Sequence, residues 1–283
     1  MMYFTRMPPS VTVIIPTYNR AQLLPRAVHS VLSQTWRDFE LYVIDDGSTD
    51  DTTVLPIFKT PNSRLHYIRY PDNRGVSHAR NIGVNQTSSP WIAFLDSDDE
   101  WLPQKLEKQM AYSAAHPGIP LNQTRELWIR NGKRVNPPKT HEKSAGDLFA
   151  PSLRRCMITP SSAMLKRELF LETGGFNESL LACEDYDLWL KITCRYPVGL
   201  VDEFLLKRYG GHGDQLSATI HILDRFRIAS ILDLLRGDSL TCEQRISAKL
   251  RLIELATIVA EGYKKHGNPA EYDYYQKIIR SNS

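Results

Sequence analysis

The sequence contains no apolar run near the roughly eighteen residues that would suggest a membrane-spanning helix. Cysteine is scarce. Cys156, Cys183, Cys194 and Cys242 are the four present, without CxxC spacing, which argues against a disulfide or zinc framework and fits reduced, partly buried thiols. Excess charge is lacking too: 35 Lys and Arg against 32 Asp and Glu leave a formal +3, with the basic residues scattered. Composition therefore makes no case for a nucleic-acid binder. Residues 1–10 lack the apolar core of a signal peptide, so the expected compartment is the cytoplasm, where the N-x-S/T triplets at Asn85, Asn122 and Asn177 would be idle. Neither a GxGxxG turn after the first apolar run nor a Walker A loop is present, which disfavours dinucleotide and P-loop readings. What remains is a 283-residue chain with 42% hydrophobic content, ample for one large domain or two small ones.

The chain is organised around residues 91–101. Trp91-Ile92-Ala93-Phe94-Leu95 reads as a buried strand and breaks straight into Asp96-Ser97-Asp98-Asp99. Clustered carboxylates raise one another's pKa unless a cation sits among them. An acidic N-cap for a helix opened by Pro103 is the plainer reading, but that role needs one Asp. A divalent-metal site is the alternative.

The preceding residues repeat the pattern. Val11-Thr12-Val13-Ile14-Ile15, stopped by Pro16, reads as a strand buried on both faces. Leu24, Ala27, Val28 and Val31 then recur at helical spacing, predicting a helix over about residues 21–34. Residues 39–44 form a second strand ending in Asp45-Asp46, and residues 65–70 a third, followed by the turn Pro71-Asp72-Asn73-Arg74-Gly75 and a helix over 76–85. A weak helix, interrupted by Pro56, is expected over 51–58. Strands alternating with helices imply a doubly wound, mostly parallel sheet with right-handed crossovers. Ligands of such sheets sit outside the carboxyl ends of the strands, where Thr17, Asp45, Asp46, Asn73, Arg74 and Asp96–Asp99 converge. Carboxylates with an ion between them suit a diphosphate, since Mg²⁺ or Mn²⁺ takes one or two carboxylates and fills its shell with phosphate oxygens. The Asp45-Asp46 pair could accept from a base N–H or a ribose hydroxyl, and Arg74 and Arg80 could offset phosphate charge.

Pro16-Thr17-Tyr18-Asn19-Arg20, Asp45-Asp46-Gly47-Ser48, Asn73-Arg74-Gly75 with Ala79-Arg80-Asn81, and Leu95-Asp96-Ser97-Asp98-Asp99 resemble, in order and spacing, the motifs of family two glycosyltransferases of GT-A fold. The resemblance is close over about residues 11–106 and looser to about residue 217. It implies a nucleotide-sugar site drawing on Pro16, Thr17, Tyr18, Arg20, Asp46, Asn73, Gly75, Arg80, Asp96 and Ser97. In it Asp46 reads the base, Thr17 and Tyr18 line the nucleoside pocket, and Asp96, Ser97 and Asp98 form the metal motif with Asp98 as principal ligand to Mn²⁺ or Mg²⁺. The resemblance also implies inversion through one displacement by an acceptor hydroxyl.

Such a displacement needs a carboxylate to take the acceptor proton. Glu184-Asp185 heads a segment in which Leu188, Trp189 and Ile192 recur at helical spacing. Acids in a first turn commonly just complement the helix dipole, yet the dipeptide also resembles the family's ED motif, which implies Asp185 as base and Glu184 as acceptor contact or orienter. Arg125–Arg130 and Lys133–Val135 flank Asn131-Gly132, the type I′ pair, predicting a hairpin in the acceptor region. Residues 159–165 are expected to return to the sheet with hydroxyls facing the acceptor. Gly174-Gly175-Phe176 reads as a turn. In the glycine-rich loop 209–215, His212 is a candidate metal or diphosphate contact, with Arg208 the weaker choice. Beyond residue 220 the texture is helical, with residues 250–259 apolar almost all round and so expected to be buried.

These readings divide the chain into a nucleotide-sugar-binding half (1–105), an acceptor and catalytic-base half (106–219) and a C-terminal helical extension (220–283). The expected activity is metal-dependent transfer of one sugar from a nucleoside diphosphate donor, UDP-linked by preference, to a saccharide or lipid-linked acceptor. The QxxRW motif and membrane helices of processive synthases are absent, which favours single additions. Expected associations are a homodimer through the C-terminal helices or peripheral contact with the inner face of a membrane. The rivals are a sugar nucleotidyltransferase, which would want a glycine-rich basic loop after the first strand, and a catalytically silent nucleotide-sugar binding module.

Overall fold

The structure is a computed structural model that describes residues 8–211 and 222–283. The chain folds into two compact units that interleave along the sequence. The first comprises Met1–Ala145, Ile158–Phe176 and Val198–Gly211, and the second Gly146–Met157, Asn177–Pro197 and His212–Ser283.

The first unit is built on β1 (Val11–Thr17), all seven residues of which are buried. It pairs in parallel with β2 (Phe39–Asp46) and β4 (Trp91–Phe94), and β2 pairs in parallel with β3 (Leu65–Tyr70). A strand with parallel neighbours and helices on its faces has no polar side to offer, which is why its sequence is continuous rather than alternating. Helix α1 (Leu24–Leu32) buries Leu24, Ala27, Val28 and Val31, the predicted stripe. Helix α3 (Val76–Asn85) packs so closely that a Cβ on Gly83 would stand 2.5 Å from Ile14 Cγ2. Between β2 and β3 the expected weak helix splits at Leu55 into a 3-10 turn, Asp51–Val54, and α2 (Pro56–Lys59).

Beyond β4 the sheet turns mixed. Strands β8 (Met164–Lys166), β6 (Leu121–Arg130), β9 (Gly199–Gly210) and β5 (Glu100–Trp101) follow in that order, and β7 (Lys133–Val135) pairs with β6. β8 is antiparallel to β4 and β6, β5 is antiparallel to β9, and β6 and β9 run parallel through a bulge after Thr124. Helix α4 (Lys105–Ala115) carries a fully buried lysine: Lys105 Nζ donates to Gln109 Oε1 at 2.5 Å and lies 3.9 Å from the Trp101 ring centroid. Burial pushes that ammonium well below its ordinary value. Helix α6 (Arg167–Glu172) follows β8.

The second unit has its own apolar cluster, formed by α5 (Phe149–Arg154), α7 (Glu184–Thr193), α8 (Asp224–Arg236), α9 (Cys242–Lys265) and α10 (Pro269–Asn282). Helix α9 starts in a capping box between Thr241 and Gln244. Its residues Leu252, Leu255, Ala256, Val259 and Ala260 are buried, but Ile246, Leu250 and Ile258 are 56–65% exposed. The helix is therefore buried along one stripe rather than all round, contrary to the expectation from its apolar content. Among the described residues no helix is long and apolar enough to cross a membrane.

Candidate active site

Strand register brings the polar motifs of the first unit to one edge. Thr17 pairs with Asp45, Asp46 with Tyr70, and Ile14 with Phe94, so Asp96 follows two residues beyond that last pair. Thr17 is buried, and its Oγ1 has no hydrogen-bond partner among the described residues. Such an orphan is costly unless a ligand or water satisfies it. Pro16 is buried in β1, whereas Tyr18 is 43% exposed on the loop that follows.

Asn19 clips the loops after β1 and β2 together. With φ at 53°, it accepts on Oδ1 from Thr49 N at 2.7 Å and Asp50 N at 3.3 Å, while its own N–H donates to Ser48 Oγ at 2.9 Å. Arg20 N donates to Thr52 Oγ1 at 3.3 Å, so Arg20 is tied to the same junction. The sequence signal for the clip is an Asn in a turn, the side chain that tolerates left-handed backbone best after glycine.

The two carboxylates of the next motif do different things. Asp45 is fully buried and accepts from Ser48 N at 2.8 Å and Tyr67 OH at 2.5 Å. Burial and that bond raise the Tyr67 hydroxyl above its ordinary value. Asp46 accepts from the backbone N–H of Arg74 at 3.0 Å and Gly75 at 2.7 Å, anchoring the loop that carries Asn73. Gly47, at φ 83°, lets the turn close: a Cβ there would sit 2.8 Å from the Asp72 carbonyl carbon.

The acidic stretch after β4 resolves its crowding by dividing labour. Arg80, expected to face phosphate, is buried and paired to Asp96 Oδ1 at 2.7 Å, with its guanidinium 4.9 Å from the Phe176 ring centroid. Asp96 N in turn donates to Ser161 Oγ at 3.1 Å. Asp99 is buried and accepts from Tyr209 N at 3.0 Å. Burial, then the charges of Asp98 and Asp96, push its carboxyl well above the ordinary range, against the pull of Ser161 and Arg208. Asp98 is held through its backbone carbonyl by Arg26, whose guanidinium lies 3.6 Å from the Tyr209 ring centroid, and its side chain is only half-buried. Ser97 is buried beside it.

Among the described residues no group of three or more His, Cys, Asp and Glu forms a metal cage. A Mg²⁺ or Mn²⁺ ion that takes most of its ligands from phosphate and water does not need one, and the mutual repulsion of these carboxylates is what such a cation would relieve. His212 lies outside the described residues.

Asn81, another motif residue, accepts from Phe176 N at 3.0 Å and donates to Phe176 O at 2.9 Å, so α3 holds the Gly174-Gly175-Phe176 turn as a strand partner would. The hydroxyls of residues 159–162, expected toward an acceptor, have protein partners: Ser161 holds the Asp96 amide and Thr159 donates to Glu126.

Glu126 belongs to none of the sequence motifs. It sits buried on β6 with Lys143 Nζ 2.8 Å and Arg208 Nη1 3.9 Å away, and it accepts from Trp128 Nε1 at 3.0 Å. Burial would raise its carboxyl, but Lys143 and Arg208 overcome this and hold it at about 2. A depressed folded value means that the native state binds fewer protons than the unfolded chain as pH falls below 4.5, the ordinary value. The pair's stabilisation, about 3 kcal/mol, is thus present above that pH and lost as pH drops toward 2. Glu126→Gln removes this acid-sensitive component and strands the buried Lys143, costing about 3–5 kcal/mol in urea denaturation at neutral pH.

In the second unit, Glu184 and Asp185 open α7 as predicted, after Cys183 in a left-handed conformation at φ 61°. Glu184 is 8% exposed. Asp185 is half-buried, accepting from Tyr186 N at 2.7 Å on Oδ1 and from the Cys156 thiol at 3.2 Å on Oδ2. Burial raises the Cys183 thiol to about 12, so it stays protonated. A cavity of about 840 Å³, lined by Ser89, Trp91, Lys166 and Glu172 among others, opens at the start of β4 and shares no residue with these motifs.

A parallel sheet whose strand ends carry these loops, continued by a mixed extension, is the GT-A glycosyltransferase architecture. Residues 12–173 match the family model of Glycosyl transferase family 2, and the chain belongs to that family. An uncharacterized glycosyltransferase of Rickettsia felis is 34% identical over 197 residues, which make up 70% of this chain and 32% of that relative. The match thus spans about a third of that relative's length. Staphylococcus aureus TarS 1-349 in complex with UDP-GlcNAc superposes with a TM-score of 0.67 at 18% identity, covering 97% of this chain and 92% of that one. Mannosyltransferase PcManGT from Pyrobaculum calidifontis, in complex with GDP-Man and Mn²⁺, gives 0.61 at 17% identity over 97% and 84%. At these identities the likeness is one of fold.

Proposed function

We propose that the protein transfers a single sugar from a nucleoside diphosphate sugar, UDP-linked by preference, to a hydroxyl of a saccharide or lipid-linked acceptor, with inversion and with Mn²⁺ or Mg²⁺ as cofactor. The observation that carries this reading is the division of labour after β4: Asp96 rests on Arg80, Asp99 turns inward, and Asp98 stays half-buried at the strand-end edge that also holds the orphaned Thr17 hydroxyl. A divalent cation bound here would neutralise charge on the departing diphosphate.

The residues then take these roles. Asp98 holds the cation, with His212 as a further contact proposed on the sequence alone. Thr17 and Tyr18 line the nucleoside pocket. Asp46 keeps lone pairs to spare after its two backbone bonds and reads the base. Asp185 removes the acceptor proton and Glu184 orients the acceptor. The complexes named for TarS and PcManGT, with UDP-GlcNAc and with GDP-Man and Mn²⁺, support a nucleotide-sugar donor and a metal, and they leave the base to experiment. The nucleotidyltransferase alternative loses ground because the loop after β1 is an Asn-centred clip rather than a glycine-rich basic cradle.

A panel of nucleoside diphosphates, each with and without Mn²⁺, tests the proposal by thermal shift. UDP with Mn²⁺ should raise Tm by several degrees, because a ligand at about a hundred times its Kd adds about 2.7 kcal/mol. No shift with any member of the panel would remove the donor site.

A further inference from the structure

The β6–β7 hairpin and the loop after it concentrate the chain's positive charge. Residues 125–143 hold six Lys and Arg against two Glu, a net +4 where the whole chain carries +3. Arg125 is neutralised by Asp202 and Glu142, and Lys143 by Glu126. Arg130, Lys133, Arg134 and Lys139 are exposed and make no ion pair among the described residues.

Their arrangement differs from a scattered solvated face. Asn131 and Gly132, both at positive φ, close the predicted turn and set Arg130 directly across from Lys133. Like charges opposite each other destabilise a hairpin, so a structure that keeps them has a use for the field. Alternation along β6 places Glu126, Trp128 and Arg130 on one face, where Arg208, paired in register with Trp128, joins them. The guanidinium carbons of Arg208 and Arg130 stand 5.1 and 5.7 Å from the Trp128 ring centroid. Stacking of this kind orients a planar guanidinium, and that of Arg130, which makes no ion pair among the described residues, can meet phosphate oxygens in a fork while Arg208 stays with Glu126. Tyr209, the residue after Arg208 on β9, donates its N–H to Asp99 Oδ1 at 3.0 Å, so this strand adjoins the proposed metal motif within one unit.

We infer that this face binds the acceptor and that the acceptor is anionic: a saccharide carrying phosphate near the hydroxyl that receives the sugar. The inference rests on the proposed reading of residues 106–219 as the acceptor half. A membrane surface is the less suitable occupant, because residues 125–143 hold none of the large exposed apolar side chains and the neighbouring one, Phe204, lies beside Arg134 on the opposite face, so this face offers nothing to insert into a bilayer.

The test uses the whole chain and calorimetric titration with three probes: phosphorylated dextran oligomers, the same oligomers without phosphate, and phosphatidylglycerol vesicles. Wild type should bind the phosphorylated oligomer at least about tenfold more tightly than the neutral one, with affinity falling as salt rises from about 50 to about 200 mM. The triple variant Arg130→Gln, Lys133→Gln, Lys139→Gln should lose that preference. Arg134→Gln, whose side chain lies 5.6 Å from the Phe204 ring on the opposite face, should keep it. Asp98→Ala should keep it too, which separates this face from the donor site. Equal binding of both oligomers, retention in the triple variant or loss in Asp98→Ala overturns the proposal. Tighter binding of wild type to vesicles than to phosphorylated dextran also overturns it and reassigns the face to a membrane. The Tm increase with UDP and Mn²⁺ should be the same in wild type and the triple variant. Its absence in both would overturn the donor-site reading instead.

Discussion

Asp98→Asn should lower transfer by about three orders of magnitude and abolish the Mn²⁺-dependent part of UDP binding, while Tm without ligand stays within about a degree of wild type. Loss of a cation's charge stabilisation amounts to several kcal/mol, and each 1.4 kcal/mol is about tenfold in rate. The fold should tolerate the change because Arg26 holds Asp98 by its backbone carbonyl, which asparagine retains. Initial rates at saturating donor, together with UDP titrations with and without Mn²⁺, read both effects. A variant with unchanged Mn²⁺ dependence would assign the cation to other residues.

Asp185→Asn should behave differently. Donor binding stays at the wild-type level, whereas kcat falls by about 10² to 10⁴, the usual range for a lost general base. Asparagine keeps an acceptor oxygen for Tyr186 N or the Cys156 thiol, so α7 should keep its opening turn. Near-normal kcat would leave Asp185 as a first-turn charge on the helix dipole.

Much of this is legible in the sequence. Continuous β-branched runs marked β1, and the change from apolar run to acidic loop marked the ends of β2 and β4. The Asn131-Gly132 pair specified a hairpin through its backbone conformations alone. Other features depend on partners distant in the chain. The aspartates at 96, 98 and 99 look equivalent in sequence, and Arg80 from α3, Ser161 from the turn before β8, Arg26 from α1 and Tyr209 on β9 distinguish them. Nothing in the sequence marks Lys105 and Glu126 as buried; Gln109 and Trp101 enclose the first, and Lys143 and Trp128 the second. β9 hid because Asp202, Glu203 and Phe204 are consecutive exposed residues beside the bulge, which breaks the alternation that marks a strand.

The central claim is that one cation joins Asp98 to the diphosphate of the donor. Crystals grown with UDP and Mn²⁺ and measured for anomalous scattering at the manganese edge test it directly. The account predicts a single peak about 2 Å from an Asp98 carboxylate oxygen and equally close to diphosphate oxygens. A peak away from Asp98, or a diphosphate bound without it, would contradict the account.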